Sequence, residues 1–178
     1  MPKRSTLIAA GAAAIVKQAH PTWAAWQIRS AIVNTAETGV LTQYTDGTTP
    51  AIDVNVSGAG RLNLESATDA VALLAPVSVS FGSVPAGSGV TRTATVRIFN
   101  ADDQAHTWDV GIAAYGTASG VTFATSVPSV TVAAGASATF SVRATFAKAA
   151  SRGDKQAWLT ITDGGELVAH GAVYAFVK

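Results

Sequence analysis

Hydrolysis by a hydroxyl nucleophile needs a Ser or Thr, a base within hydrogen-bond reach, and an acid that orients the base. The chain has three histidines to act as base, His20, His106 and His170. Ser5 and Ser30 are the hydroxyls to test against His20. Fifteen residues of helix would hold Ser5 about 22 Å from His20 at 1.5 Å per residue, which excludes that pair. Ser30 lies across a Pro turn from His20 and could come closer. His106 and His170 fall in expected strands, each without a carboxylate at a useful spacing, and read as satisfied or solvated side chains. Cysteine is absent and no two histidines sit at zinc-ligand spacing. No catalytic, cofactor-binding or metal-binding residue can be assigned from these types and spacings, and no cofactor is expected.

The elements that would position such groups change character near Pro76. Before it, apolar residues recur at helical spacing. A first helix is expected from Ser5 or Thr6, either serving as N-cap, to about Ala19. From Leu7 to Val16 it is apolar on every side, which suits the interior of a large protein. Gly11 in its middle costs about 1 kcal/mol and suggests close approach of another backbone. A second helix is expected over about 24–35, with Trp23, Ile28, Ala31 and Ile32 on one face and Gln27, Arg29 and Ser30 toward water. Trp26 reads as packing. Ile52, Val54 and Val56 alternate like a short strand, Gly58-Ala59-Gly60 turns the chain, and Asn63 can cap a third helix over about 64–74.

From Val77 the period is two. Strands are expected near 77–84, 92–100, 106–114, 121–126, 129–133, 138–146, 156–162 and 166–177. Phe140, Val142, Ala144 and Phe146 form the clearest inward set. Asp163-Gly164-Gly165 supplies a hairpin turn. Trp108 and Trp158 are expected in the core. This pattern implies an antiparallel β-sandwich of immunoglobulin or fibronectin type III character. The expected fold is an α+β two-part chain, with a helical part over 1–75 and an all-β sandwich over 76–178.

Composition narrows the function classes. The 178 residues are 48% hydrophobic and 13% charged, with a formal net charge of +1. That is ample apolar surface for a core and no electrostatic footprint for nucleic acid. No apolar run reaches the roughly 18 residues of a membrane span. Lys3 and Arg4 followed by Leu7–Val16 also resemble the start of a secretory leader, but Lys17 stands where a neutral region would follow.

His20, Pro21, Trp23, Gln27, Ile28, Ser30, Ala31, Thr35 and Ala36, followed by Asn63 after Gly58-Ala59-Gly60-Arg61-Leu62, carry a more specific signal. Residues 5 to 75 resemble the C-terminal part of the catalytic domain of subtilisin-like serine proteases. In that family the first helix starts at the nucleophilic serine, within Gly-Thr-Ser-Met-Ala-x-Pro-His. Anchoring on Gly11 puts Lys3 at the serine position and Leu7-Ile8 at Pro-His. The resemblance therefore implies the C-terminal portion of a secreted bacterial serine endopeptidase that lacks the Asp/His/Ser triad and is not proteolytic alone. Its expected partners are the missing protease portion or a protein substrate. The alternative is a non-catalytic, secreted sandwich module that binds or assists. Arg152-Gly153-Asp154 reads as an exposed turn that on fibronectin-type modules can bind integrins. Asn55-Val56-Ser57 is a formal glycosylation acceptor, and Gly58-x-Gly60 lacks the third glycine of a dinucleotide loop.

Overall fold

The computed structural model describes residues 3–43, 45–51, 53–115 and 119–178. The helices are α1 (Lys3–Ala19), α2 (Ala25–Asn34), α3 (Val54–Ser57) and α4 (Leu64–Thr68). The strands are β1 (Ala72–Ala75), β2 (Val79–Val84), β3 (Thr91–Asn100), β4 (His106–Tyr115), β5 (Val121–Thr125), β6 (Ser129–Val132), β7 (Ser137–Phe146), β8 (Gly153–Asp163) and β9 (Glu166–Val177).

The strands form two sheets, ordered β1-β3-β7-β5 and β2-β9-β8-β4-β6. Alternation decides which side chains face inward. Phe140, Val142, Ala144 and Phe146 are all buried on β7, opposite Ala157, Leu159 and Ile161 on β8 and around Trp108 on β4. The β8–β9 turn matches its residues: Gly164 and Gly165 both have positive φ, and Asp163 pairs with Glu166.

Three expectations are corrected here. The sandwich is not wholly antiparallel, because β2 runs parallel to β9. Those two strands are far apart in the chain, so no hairpin dictates their relative direction, and alternation reports buried faces rather than partner polarity. The third helix stops at Thr68 although Asn63 does cap it, accepting from the Ser66 amide at 3.1 Å. Residues 72–75, expected to be helical, are β1, paired with β3. A run as short and apolar as Ala72-Leu73-Leu74-Ala75 has no period that separates strand from helix. The expected strand around Val54 and Val56 is α3, where the Asp53 carboxylate accepts from the Asn55 amide at 2.7 Å; Ile52 lies outside the described residues.

β1 serves both halves of the chain. Ala72 and Leu74 pack into the sandwich core, whereas Leu73 packs with Val16, Trp23, Ala31 and Ala67 of the helices. The outer face of β3 also meets α2: Phe99 stands edge-on to Trp26, and the Arg97 guanidinium lies 4.3 Å from the Trp26 ring centre.

α1 departs most from its expected setting. It already runs through Ser5 and Thr6, so neither residue caps it. Only Ala12 and Val16 are buried in the apolar stretch, while Leu7 is 72%, Ile8 62% and Ile15 45% exposed. Nothing approaches a Cβ built on Gly11 within 4 Å. An all-round apolar helix thus meets its neighbours through one narrow face.

Candidate functional site

The α1–α2 turn is built by side chains that satisfy backbone groups. Lys17 Nζ donates to the Pro21 and Trp23 carbonyls at 2.7 and 2.8 Å, a cation at a helix C-terminus. The Gln27 side chain accepts from the Ala24 amide at 2.8 Å, closing the start of α2. His20 stacks on Trp23 with ring centres 3.7 Å apart, and its Nε2 lies 2.7 Å from the Thr68 carbonyl. That nitrogen must carry the proton and donate, so it holds α4 against the turn and is not free to take a proton from a hydroxyl.

Ser30 is not turned toward water. It is fully buried, its Oγ donates to Asn34 Oδ1 at 2.8 Å and accepts from the Leu74 amide at 2.7 Å. Asn34, equally buried, uses both amide protons: Nδ2 donates to the Val77 carbonyl at 2.8 Å and to the His170 carbonyl at 2.6 Å. These bonds tie α2 to β1, to the segment before β2, and to β9. His20 and Ser30 therefore serve as packing and bonding residues in separate places, and the Ser30 proton is committed to Asn34. The side chain of Ser5 lies outside the description. Ser30, placed toward water from its position on the helix, is turned inward instead, and Asn34 one turn on shares its bond.

The segment from Ala36 to Arg61 covers the outer face of the second sheet. Trp158 alternates with core residues Ala157 and Leu159, so it points away from the core, a correction to its expected place. Its ring meets His170 edge-on at 5.1 Å, and it lines a cavity of about 210 Å³ with Glu37, Leu41 and Ala51. Gln156 donates to Asp53 at 2.8 Å and accepts from the Val54 amide at 3.0 Å. Gly60 closes the segment: it has φ +121, and a Cβ there would lie 2.2 Å from the Glu37 carbonyl oxygen. Gly58-Ala59-Gly60 is thus a turn built for close backbone approach.

His106 is also corrected. Two carboxylates reach it, Asp102 Oδ2 at 2.7 Å from Nε2 and Asp163 Oδ2 at 2.9 Å from Nδ1. Hydrogen bonds from Asp102 and then Asp163 push its pKa above 6.5, while Asp102 is held below the ordinary carboxylate value, chiefly by His106. Asp163 is remote in sequence and gives no spacing signal, whereas Asp102 lies four residues before His106 and approaches it across the β3–β4 loop. His170 is 2% exposed and donates from Nε2 to the Ala59 carbonyl at 2.9 Å. Burial pushes its pKa below 6.5.

The remaining motifs lose their loop character. Gly153 and Asp154 belong to β8, and the Asp154 carboxylate accepts from the Tyr174 hydroxyl at 2.5 Å. Asn55 lies exposed on α3. Lys155, 3% exposed, donates to Ser151 Oγ at 2.8 Å and braces the loop before β8. Among the described residues no helix is long and apolar enough to cross a membrane, and no group of three acidic, His or Cys side chains is placed to hold a metal.

No protein-family model matches the chain. Among solved structures, the CupB2 chaperone of Pseudomonas aeruginosa overlaps 59% of this chain and 55% of its own at 17% identity and TM-score 0.43. The secreted serine protease VesC of Vibrio cholerae overlaps 58% of this chain and 24% of its own at 14% identity and TM-score 0.42. Overlaps of that quality specify neither activity nor partner. In sequence, 92 residues are 38% identical to the minor extracellular protease Vpr of Bacillus subtilis, covering 51% of this chain and 11% of that protein. About half of the chain is thus similar to part of an extracellular protease, and the chain spans about a tenth of that protease's length.

Proposed function

We propose that this chain is the C-terminal portion of a secreted, subtilisin-like serine endopeptidase, joined to a sandwich and not proteolytic alone. The helical part that precedes β1 completes a catalytic domain whose Asp, His and Ser come from another part of the protease, and the sandwich begins with β1. The exposed apolar surface of α1 carries this reading. Leu7, Ile8 and Ile15 are open to solvent, and on a different side of α1 Ala9 and Ala13 line a groove of about 400 Å³ with Ala25, Ile28, Arg29, Ile32 and Val33 of α2. Exposed apolar side chains on several sides of one helix mark a protein contact, and an all-round apolar helix belongs inside a larger body. The His20–Ala36 pattern and the similarity of about half the chain to part of an extracellular protease support that family and location for the larger body.

The sandwich then acts as a rigidly attached accessory module. The fully buried Ser30 and Asn34 fasten it directly to the helices, so it holds a fixed position relative to the protease and can orient a protein substrate or brace the catalytic domain.

The uncovered face is tested by a triple variant, Leu7→Glu, Ile8→Glu and Ile15→Glu, in sedimentation velocity over a concentration series. The native chain is expected to self-associate through α1. The variant is expected to stay monomeric, with its unfolding free energy changed by no more than about 0.5 kcal/mol, as for exposed positions. A native chain that remains monomeric throughout, or a variant that associates equally well, contradicts the assignment of α1 as a contact face.

A further inference from the structure

We infer that the seam between the helices and the sandwich is a pH-bracketed joint, closed by a charged His106 on one side and a neutral His170 on the other. The geometry at His106 requires a cation. Both ring nitrogens face carboxylate oxygens, at 2.7 and 2.9 Å, and only the doubly protonated ring donates to both. The ring also stacks on Trp108, with centres 5.2 Å apart. The two carboxylates belong to different elements. Asp102 follows Ala101, whose amide bonds to the Val71 carbonyl at 2.8 Å and whose side chain packs on the helix cluster. Asp163 begins the turn into β9, and Leu167–His170 of that strand line a cavity with Asn34, Ser66 and Asp69 of the helical part. His106 therefore clasps the β3–β4 loop to the β8–β9 turn within the sandwich, and Ala101 and the start of β9 connect that clasp to the seam.

His170 works in the opposite sense. Its backbone carbonyl receives Asn34, its Nε2–H donates to Ala59, and its ring is enclosed against Trp158. Charging this ring would place a cation in a site only 2% exposed, where the ring's hydrogen bond goes to the neutral Ala59 carbonyl. The charged groups around both rings are few. Asp102 and Asp163 face His106, with Asp103 in the same loop and Glu166 paired across from Asp163, while β6 contributes only Thr131 and Val132. Around His170, Asp69 lines the shared cavity, and the Glu37–Arg61 pair sits on the segment that carries Ala59.

The signs follow from the two shifts. His106, with its folded pKa raised above 6.5, contributes stability that is complete below 6.5 and lost as pH rises through the raised value. His170, with its folded pKa lowered, contributes stability that is complete above 6.5 and lost as pH falls through the lowered value. The joint is tightest near pH 6.5 and loosens in both directions. Asp46, lowered to about 2, and Tyr174, raised to about 12, titrate outside this window.

The test combines the thermal midpoint with native-state exchange of the Leu74 and Ala101 amides between about pH 5 and about pH 9, corrected for intrinsic exchange. Midpoint and protection are expected to peak near 6.5. His106→Gln should abolish the alkaline fall and leave the acidic one, and His170→Gln should do the reverse. If the second variant does not fold, the ring titration of His170 in the native chain replaces it and is expected below 6.5. A His106 ring titrating at or below 6.5, or an alkaline fall that survives His106→Gln, overturns the inference.

Discussion

Asn34→Ala is expected to destabilise the chain by about 3 kcal/mol in urea unfolding, because removing one partner leaves buried polar groups unmet at about 1–3 kcal/mol each. The side chain is fully buried and makes three bonds: it receives Ser30 Oγ and gives to the Val77 and His170 carbonyls. Truncation strands all three partners between α2 and the sandwich. Relaxation around the small residue recovers part of that loss, so the sum falls short of three full penalties. Asn34→Asp should be no milder, since a carboxylate cannot donate to either carbonyl and a charge would be buried without a counter-ion. Ser30→Ala should cost about 1–2 kcal/mol, and the double variant should fall below additivity because both residues share one network. Exposed Asn55→Ala is the control, expected within about 0.5 kcal/mol of the native chain.

Trp108→Ala is expected to cost about 3–5 kcal/mol, the usual loss for a large core aromatic. Trp108 is completely buried in the sandwich core on β4, and its ring also stacks on His106. Deleting it opens a cavity and loosens the base of the His106 clasp together. Trp108→Phe separates the two contributions. It keeps an aromatic plane and discards a buried Nε1–H that has no acceptor among the described residues. No protein hydrogen bond is lost, so the phenylalanine variant should retain most of the stability. Urea midpoints of the two variants, measured together, check the ordering. An equal loss in both would mean that the indole proton, rather than ring volume, matters at this position.

The sandwich was legible because its strands obey a simple rule. Phe140, Val142, Ala144 and Phe146 alternate without interruption, and Gly164-Gly165 can scarcely be anything but a tight turn. β1 was not legible, since Ala72, Leu73 and Leu74 are buried in succession, on both faces, and carry no period. The parallel pairing of β2 with β9 was hidden because alternation says nothing about a distant partner's direction. Trp158 was misassigned because the residue that covers an outer sheet face looks, in sequence, like one that fills a core.

The helical part was legible in pattern and misleading in environment. His20, Trp23, Gln27 and Ser30 stand at a spacing that resembles that of subtilisin-like proteases. The burial of Trp23 and Ser30, however, depends on β1, which lies farther along the chain. Ser30 and Asn34 face inward because the sandwich supplies the carbonyls and the amide that they need. In α1 the mismatch has the opposite sense: residues whose chemistry asks for burial are exposed. That contrast underlies the reading of this chain as one part of a larger protease.

The most direct measurement is a casein zymogram of the purified 178-residue chain, run with and without a serine-directed inhibitor. The account predicts no clearing in either lane, because buried Ser30 is bonded to Asn34 and the Leu74 amide rather than to a histidine, and His20 is bonded to the Thr68 carbonyl rather than to a hydroxyl. Clearing that the inhibitor abolishes would contradict it.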